Sequence, residues 1–172
     1  MNSAMQMECD LAVIGSGAAG LTAALAASAG GLRVIVVEAD ALIGGATALS
    51  EGMIWAPNSK AARMLPDAPG ETEEASSALA YLEATAGSTL DADRARAYIA
   101  AAPLVLAFLE AASGLTFTLN RSSRDYYPGK PGATLGRRAL NPDPFDARPL
   151  GHDLFARIRP PLEPMLIWGG MS

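Results

Sequence analysis

The sequence predicts an α/β fold in which one βαβ unit is followed by helices and an irregular C-terminal stretch. Two short apolar runs, Asp10 to Ile14 and Arg33 to Glu38, flank an Ala- and Leu-rich segment from Ala18 to Ala29. Glycines punctuate both junctions, and helical patterning takes over from Thr72. Together these features read as strand, helix, strand and then a helical region.

The first run carries Leu11, Val13 and Ile14 and stops at Gly15, the pattern of a buried strand. Ala18 to Ala29 is made of strong helix formers and ends at Gly30-Gly31, the expected punctuation of a helix C-terminus. In the second run Val34, Ile35, Val36 and Val37 are continuous and β-branched, which suits a parallel strand covered on both faces. Ala39 to Asn58 is rich in small residues and lacks periodicity, apart from one helical turn expected over Thr47 to Glu51.

Thr72 to Ala86 and Asp91 to Ser113 read as helices, with Thr72 and Asp91 as N-caps and Glu73 and Glu74 favourably placed in a first turn. Pro103 is expected to split the longer segment into two helices, the second closed by Gly114. Leu115 to Leu119 alternates like a strand. Residues 120–164 are rich in Pro, Gly and Arg, with a short helix expected near His152 to Ile158, and such a long irregular stretch should be pinned against something else. The chain thus divides, by pattern, into 1–60, 61–119 and 120–172. Strands beyond the first two are scarce, Met165 to Trp168 being the last candidate, so the expectation is an incomplete domain with an unpaired sheet edge.

Composition narrows the function. The 172 residues are 50% hydrophobic, enough for a core, and a net charge of −5 without a basic stripe excludes a nucleic-acid partner. The single cysteine, Cys9, precedes an apolar strand and reads as a packing residue. The first eight residues lack the basic region of a signal peptide, and no run of about 18 uninterrupted apolar residues suggests a membrane span. A soluble, cytoplasmic setting is the expectation. No spacing of His, Cys, Asp and Glu suggests a metal site.

The chemistry concentrates near the N-terminus. Gly15-Ser16-Gly17-Ala18-Ala19-Gly20 matches G-x-G-x-x-G between a strand and a helix. There the first glycine serves a tight turn, the second lets a diphosphate approach the backbone, and the third allows close helix packing. The diphosphate would rest on the free N–H groups at the positive end of the helix. Glu38 lies 23 residues beyond Gly15, close to the spacing of the acid that binds a ribose hydroxyl, and its charge would repel a 2′-phosphate. The Gly44-to-Gly52 segment inserts a small-residue loop where a nicotinamide-binding domain would usually continue into a helix and a third strand.

Asp10 to Gly20, Glu38, Gly44-Gly45 and the run Ser50-Glu51-Gly52-Met53-Ile54-Trp55-Ala56-Pro57-Asn58 resemble the flavoprotein family of fumarate reductases and 3-ketosteroid 1-dehydrogenases. The resemblance implies a Rossmann-like unit that binds FAD across the strand ends. In that arrangement Glu38, with Ala39 beside it, meets the adenosine ribose. Gly44, Gly45, Ala46 and Thr47 approach the diphosphate, and Ser50 and Gly52 approach the flavin. Ala46 stands where the family commonly has Thr or Asn, and Glu51 where it commonly has Gly.

The resemblance further implies an oxidoreductase acting on a carbon–carbon bond next to a carbonyl or carboxylate, with a steroid-like ketone or a dicarboxylate as substrate. Arg124-Asp125-Tyr126-Tyr127-Pro128-Gly129 is similar to a stretch of the ketosteroid dehydrogenase-like members, which makes Tyr126 and Tyr127 the catalytic candidates; two aromatics that merely anchor a loop remain the alternative. His152 reads as a surface or capping residue, and Trp55 and Trp168 as packing residues. The Gly169-Gly170-Met171 run resembles a family turn that precedes further substrate-domain structure. Because relatives of this kind are much longer, the chain is expected to be their N-terminal portion. A nucleotide-binding fragment without turnover and an NAD-dependent dehydrogenase domain are the competing readings.

Overall fold

The computed structural model describes residues 6–50 and 52–160. Glu51, Met165 to Trp168 and the Gly169-Gly170-Met171 run lie outside the described residues. The chain forms two compact units, residues 1–52 with 144–172, and residues 53–143. The 1–60, 61–119 and 120–172 division read from the sequence places its boundaries elsewhere.

The first unit is the βαβ unit. Strands β1 (Leu11–Ile14) and β2 (Val34–Val37) pair in parallel, Leu11 opposite Val34 and Ile14 opposite Val37, with helix α1 (Ala18–Ala29) between them in sequence. Asp10 closes the N-terminal end by accepting from the backbone and side chain of Arg33. The expectation that β2 is covered on both faces does not hold: Val34 and Ile35 are half-buried, Val36 and Val37 are exposed, and Ile14 of β1 is 89% exposed. One helix on a two-stranded ribbon covers too little apolar surface to satisfy that pattern. Helix α2 (Gly45–Leu49) follows the second strand.

The distal part of this unit includes α6 (Gly151–Phe155), shorter than the His152-to-Ile158 helix expected. Beyond it the Ile43 N–H donates to the Arg157 carbonyl and the Arg159 N–H donates back to the Ile43 carbonyl. Arg159 also reaches Asp40 at 2.6 Å. This is how part of the irregular stretch is pinned.

The second unit packs helices on a small antiparallel sheet. Its strands are β3 (Ile54–Trp55), β4 (Phe117–Leu119) and β5 (Ala139–Pro142), in the order β3-β5-β4. Strand β5 lies within the stretch whose composition predicts irregular chain. The Leu115-to-Leu119 run forms a strand only from Phe117, and it joins this antiparallel sheet instead of extending the parallel one. Ala56, Ala102, Leu106 and Leu140 make the core, with Ile54, Phe117 and Leu119 packed around them.

Its helices are α3 (Lys60–Arg63), α4 (Glu71–Ala86) and α5 (Ala92–Ser113). Gly70, not Thr72, occupies the N-cap of α4, so all three acids Glu71, Glu73 and Glu74 fall in the first turn. Asp91 caps α5 as expected, accepting from the Asp93 and Arg94 N–H groups, and Gly114 ends it in the left-handed conformation. The predicted break at Pro103 is absent. Proline removes one main-chain bond, but Ala95, Ile99, Ala102 and Leu106 form one buried stripe on both sides of it, and burial of that stripe outweighs the local cost. Helix α5 is also long and apolar enough to cross a membrane by length and composition alone, although Asp93, Arg94, Arg96 and Glu110 interrupt its apolar run.

Restoring an N–H at position 103 supplies the missing bond to the Ile99 carbonyl. Pro103→Ala should therefore raise the unfolding free energy by about 1–3 kcal/mol in urea denaturation. An unchanged or lower value would show that the backbone has fully adapted to the proline.

Candidate cofactor site

Gly15 leaves β1 with φ +95°, a conformation that side chains rarely adopt, and its N–H donates to the Val37 carbonyl at 2.7 Å. The turn therefore hangs on the end of β2. It also brings the next residue over Glu38: the Ser16 N–H and hydroxyl both donate to Glu38 Oε2, at 2.9 and 2.6 Å. The same hydroxyl oxygen accepts from the Gly44 N–H at 3.0 Å. Ser16 is only 2% exposed, so its side chain ties turn, acid and Gly-rich loop together from beneath.

Glu38 Oε1 accepts from the Asp40 N–H at 3.1 Å. The hydroxyl of Ser16, then the backbone N–H groups of Asp40 and Ser16, hold the Glu38 carboxyl down to about 2 from the usual 4.5, against a small opposing effect of desolvation. A carboxylate fixed in its charged form suits ribose hydroxyl donors and repels an added phosphate.

The third glycine explains itself by contact. A Cβ on Gly20 would stand 1.9 Å from the Gly15 carbonyl oxygen, so no other residue lets α1 pack this close to the turn. Gly17 is the N-cap of α1; it has no side chain to cap the helix, and the first turn contains no acid. The Ala18 N–H is met by the Thr47 hydroxyl at 3.1 Å. Ala19 and Gly20 follow it in the first turn, where main-chain donors lack helical partners. Gly44 has φ +117° and Gly45 φ +56°, and a Cβ on Gly45 would come within 3.2 Å of the Gly17 backbone. Two loops of bare backbone thus meet at the positive end of a helix, a surface that fits a diphosphate.

The structure accordingly gathers Gly15, Ser16, Gly17, Ala18, Ala19, Gly20, Glu38, Gly44, Gly45 and Thr47 into one place within the first unit. Ala39 follows the acid directly, and Ala46 lies exposed on α2. Ser50 caps the C-terminal end of α2 with its hydroxyl turned to the Thr47 carbonyl, and Gly52 follows at φ +71°. Tyr126 and Tyr127 belong to the second unit, with Tyr126 93% exposed and Tyr127 more than half exposed. His152 is a surface residue beside Asp153. Among the described residues no cluster of three metal-ligating side chains occurs.

Sequence reasoning missed the buried polar centre of the second unit. Arg138, 1% exposed, donates to Glu74 at 2.6 Å and to Asp125 at 3.0 Å, and its guanidinium lies 5.4 Å from the centre of the Trp55 ring. Trp55 stacks with Tyr81 and with Tyr98 and donates its indole N–H to Asp125. These partners are 13 to 83 residues apart in sequence, and no short motif links them.

The chain matches the FAD binding domain family over residues 10–162, and it belongs to that family. It is 37% identical over 163 residues to the 4-oxocyclohex-2-ene-1-carboxylate 5-dehydrogenase of Sinomonas cyclohexanicum, covering 95% of this chain and 26% of that protein. It is 37% identical over 147 residues to the 3-oxosteroid 1-dehydrogenase of Mycobacterium tuberculosis, covering 86% of this chain and 25% of that one. Its structure is similar to that of the 3-ketosteroid Δ1-dehydrogenase from Sterolibacterium denitrificans in complex with 1,4-androstadiene-3,17-dione. That match has a TM-score of 0.80 and 35% identity, over 94% of this chain and 28% of the other. The chain spans about a quarter of the length of the curated relatives it matches. FAD, and not NAD, is therefore the dinucleotide of this fold.

Because the Glu38 carboxyl is held below its usual value, it contributes stability that is present above about 4.5 and is lost as pH falls from there towards 2. In Ser16→Ala the hydroxyl bond goes, and the carboxyl should titrate closer to 4.5, read by carbon NMR of the Glu38 side chain. Titration that stays near 2 would mean the backbone donors alone hold the charge.

Proposed function

We propose that this chain is the FAD-holding part of a dehydrogenase that removes two hydrogens from a carbon–carbon bond beside the carbonyl of a ring ketone, in the manner of a 3-ketosteroid. The observation that carries the proposal is the joining of Gly15 to Gly20, Glu38 and Gly44 to Thr47 through the Ser16 hydroxyl. The relatives named above are dehydrogenases of oxo-steroids and of an oxo-cyclohexene carboxylate, and a ring ketone is common to both. Their names favour a ring ketone over a dicarboxylate.

FAD, when bound, supplies the hydride-accepting ring. The residues of this chain bind and orient it. Glu38 accepts hydrogen bonds from the ribose hydroxyls. The backbone donors at the start of α1 and around Gly44 and Gly45 take the diphosphate, and the bare glycines let both approach. Small residues at Ser50 and Gly52 leave room for the ring system. The Tyr126 phenol donates to the ketone oxygen, polarising the carbonyl so that the carbon beside it more easily gives up a proton, which passes to solvent. The hydrogen of the next carbon is the hydride that FAD would accept.

A flavin-loaded protein containing this sequence, mixed anaerobically with 4-androstene-3,17-dione, should lose its flavin absorbance as the ring is reduced. Tyr126→Phe should slow that bleaching by about 10²-fold or more while leaving the flavin bound. Bleaching by succinate, with none by the steroid or by 4-oxocyclohexanecarboxylate, would replace the ring ketone with a dicarboxylate.

A further inference from the structure

The loop that carries Tyr126 contains Pro128, Gly129, Pro131 and Gly132 and contributes little apolar surface. Polar contacts hold it instead. Asp125 is buried, and its carboxylate accepts from Arg138, from the Trp55 indole N–H, and from both the backbone and the hydroxyl of Thr134. On the other side of Tyr126 the Tyr127 N–H donates to the Tyr81 hydroxyl at 3.1 Å. Gly132, at φ +73°, presses against α4 so closely that a Cβ would meet the Ser77 carbonyl oxygen at 2.0 Å. Its own carbonyl accepts from Arg138 and from Ser77.

Both chain neighbours of Tyr126 are therefore fixed to the rigid part of the unit, while the Tyr126 side chain is 93% exposed. A buried ion cluster of this kind is a poor device for stability, since desolvating three charges offsets most of their attraction. What it does provide is a single loop geometry, because each member accepts only one arrangement of its partners.

We propose that Arg138, Asp125 and the Tyr81 hydroxyl are positioning residues that fix the main chain on both sides of Tyr126 and so set the point from which its phenol projects. The proposal rests on the reading of Tyr126 as the group that meets the ketone, and it adds the machinery that aims it. Glu74 holds Arg138 from α4 at 2.6 Å, and Trp55 lies under the guanidinium, so the clamp is anchored in both helix and sheet.

The four tyrosines make the test direct. The chain is labelled with 3-fluorotyrosine, its fluorine resonances are assigned by single Tyr→Phe variants, and amide exchange is followed at Tyr127. Tyr81→Phe keeps the ring against Trp55 and removes only the oxygen. Exchange at Tyr127 should then quicken about fivefold or more, and the Tyr126 resonance should broaden or split, with amides in α5 unchanged. Asp125→Asn should disturb the same Tyr126 resonance by removing the carboxylate charge that Arg138 pairs with. A Tyr126 signal that both variants leave sharp and unshifted in the folded chain overturns the clamp. Normal bleaching by Tyr126→Phe, together with a Tyr126 signal that responds to the clamp variants, would instead overturn the substrate role while leaving the clamp standing.

Discussion

A negative charge at the mouth of a parallel strand pair must find donors, and the donors that Glu38 finds decide the shape of the first unit. Ser16 offers it a backbone N–H and a hydroxyl, while the same hydroxyl oxygen takes the Gly44 N–H. One small side chain therefore fixes the distance between the turn after β1, the acid after β2 and the loop before α2. The helix packing depends on the same turn, because the Gly15 carbonyl occupies the space where any Cβ at position 20 would go. At the N-terminus of α1 the Ala18 N–H meets the Thr47 hydroxyl, so the helix start joins the same Gly-rich loop.

The second unit solves a different problem with similar chemistry. Its sheet is short and its core small, and the loop between β4 and β5 has little to bury. Arg138 compensates by joining α4, the loop and the Trp55 ring, with its charge matched by Glu74 and Asp125. Arg138, Glu74 and Asp125 are all buried, which strengthens their hydrogen bonds and makes loss of any one partner costly.

The first site was largely legible because its residues speak locally. Gly15, Gly17, Gly20 and Glu38 each have a positional meaning that spacing alone conveys, and α1 follows its residue pattern to both ends. Ser16 was legible as part of the fingerprint but not in its role, since it occupies a variable position and acts through residues 22 and 28 places away. The Arg138 cluster left no trace in the sequence because its pairings span 13 and 64 residues. Strand β5, Ala-Leu-Asn-Pro, has no alternation to reveal it and exists because β3 and β4 pair with it. At Pro103 a sound local rule gave way to a buried stripe that runs past it.

The account stands or falls on whether the turn, the acid and the Gly-rich loop receive the adenosine diphosphate half of FAD together. Backbone amide shifts recorded as FAD is added to the chain test this most directly. The prediction is that changes concentrate at Gly15 to Gly20, Glu38 and Gly44 to Thr47 and saturate with one common dissociation constant. Amides that stay unchanged there at high FAD concentration, or changes confined to residues 53–143, would contradict it.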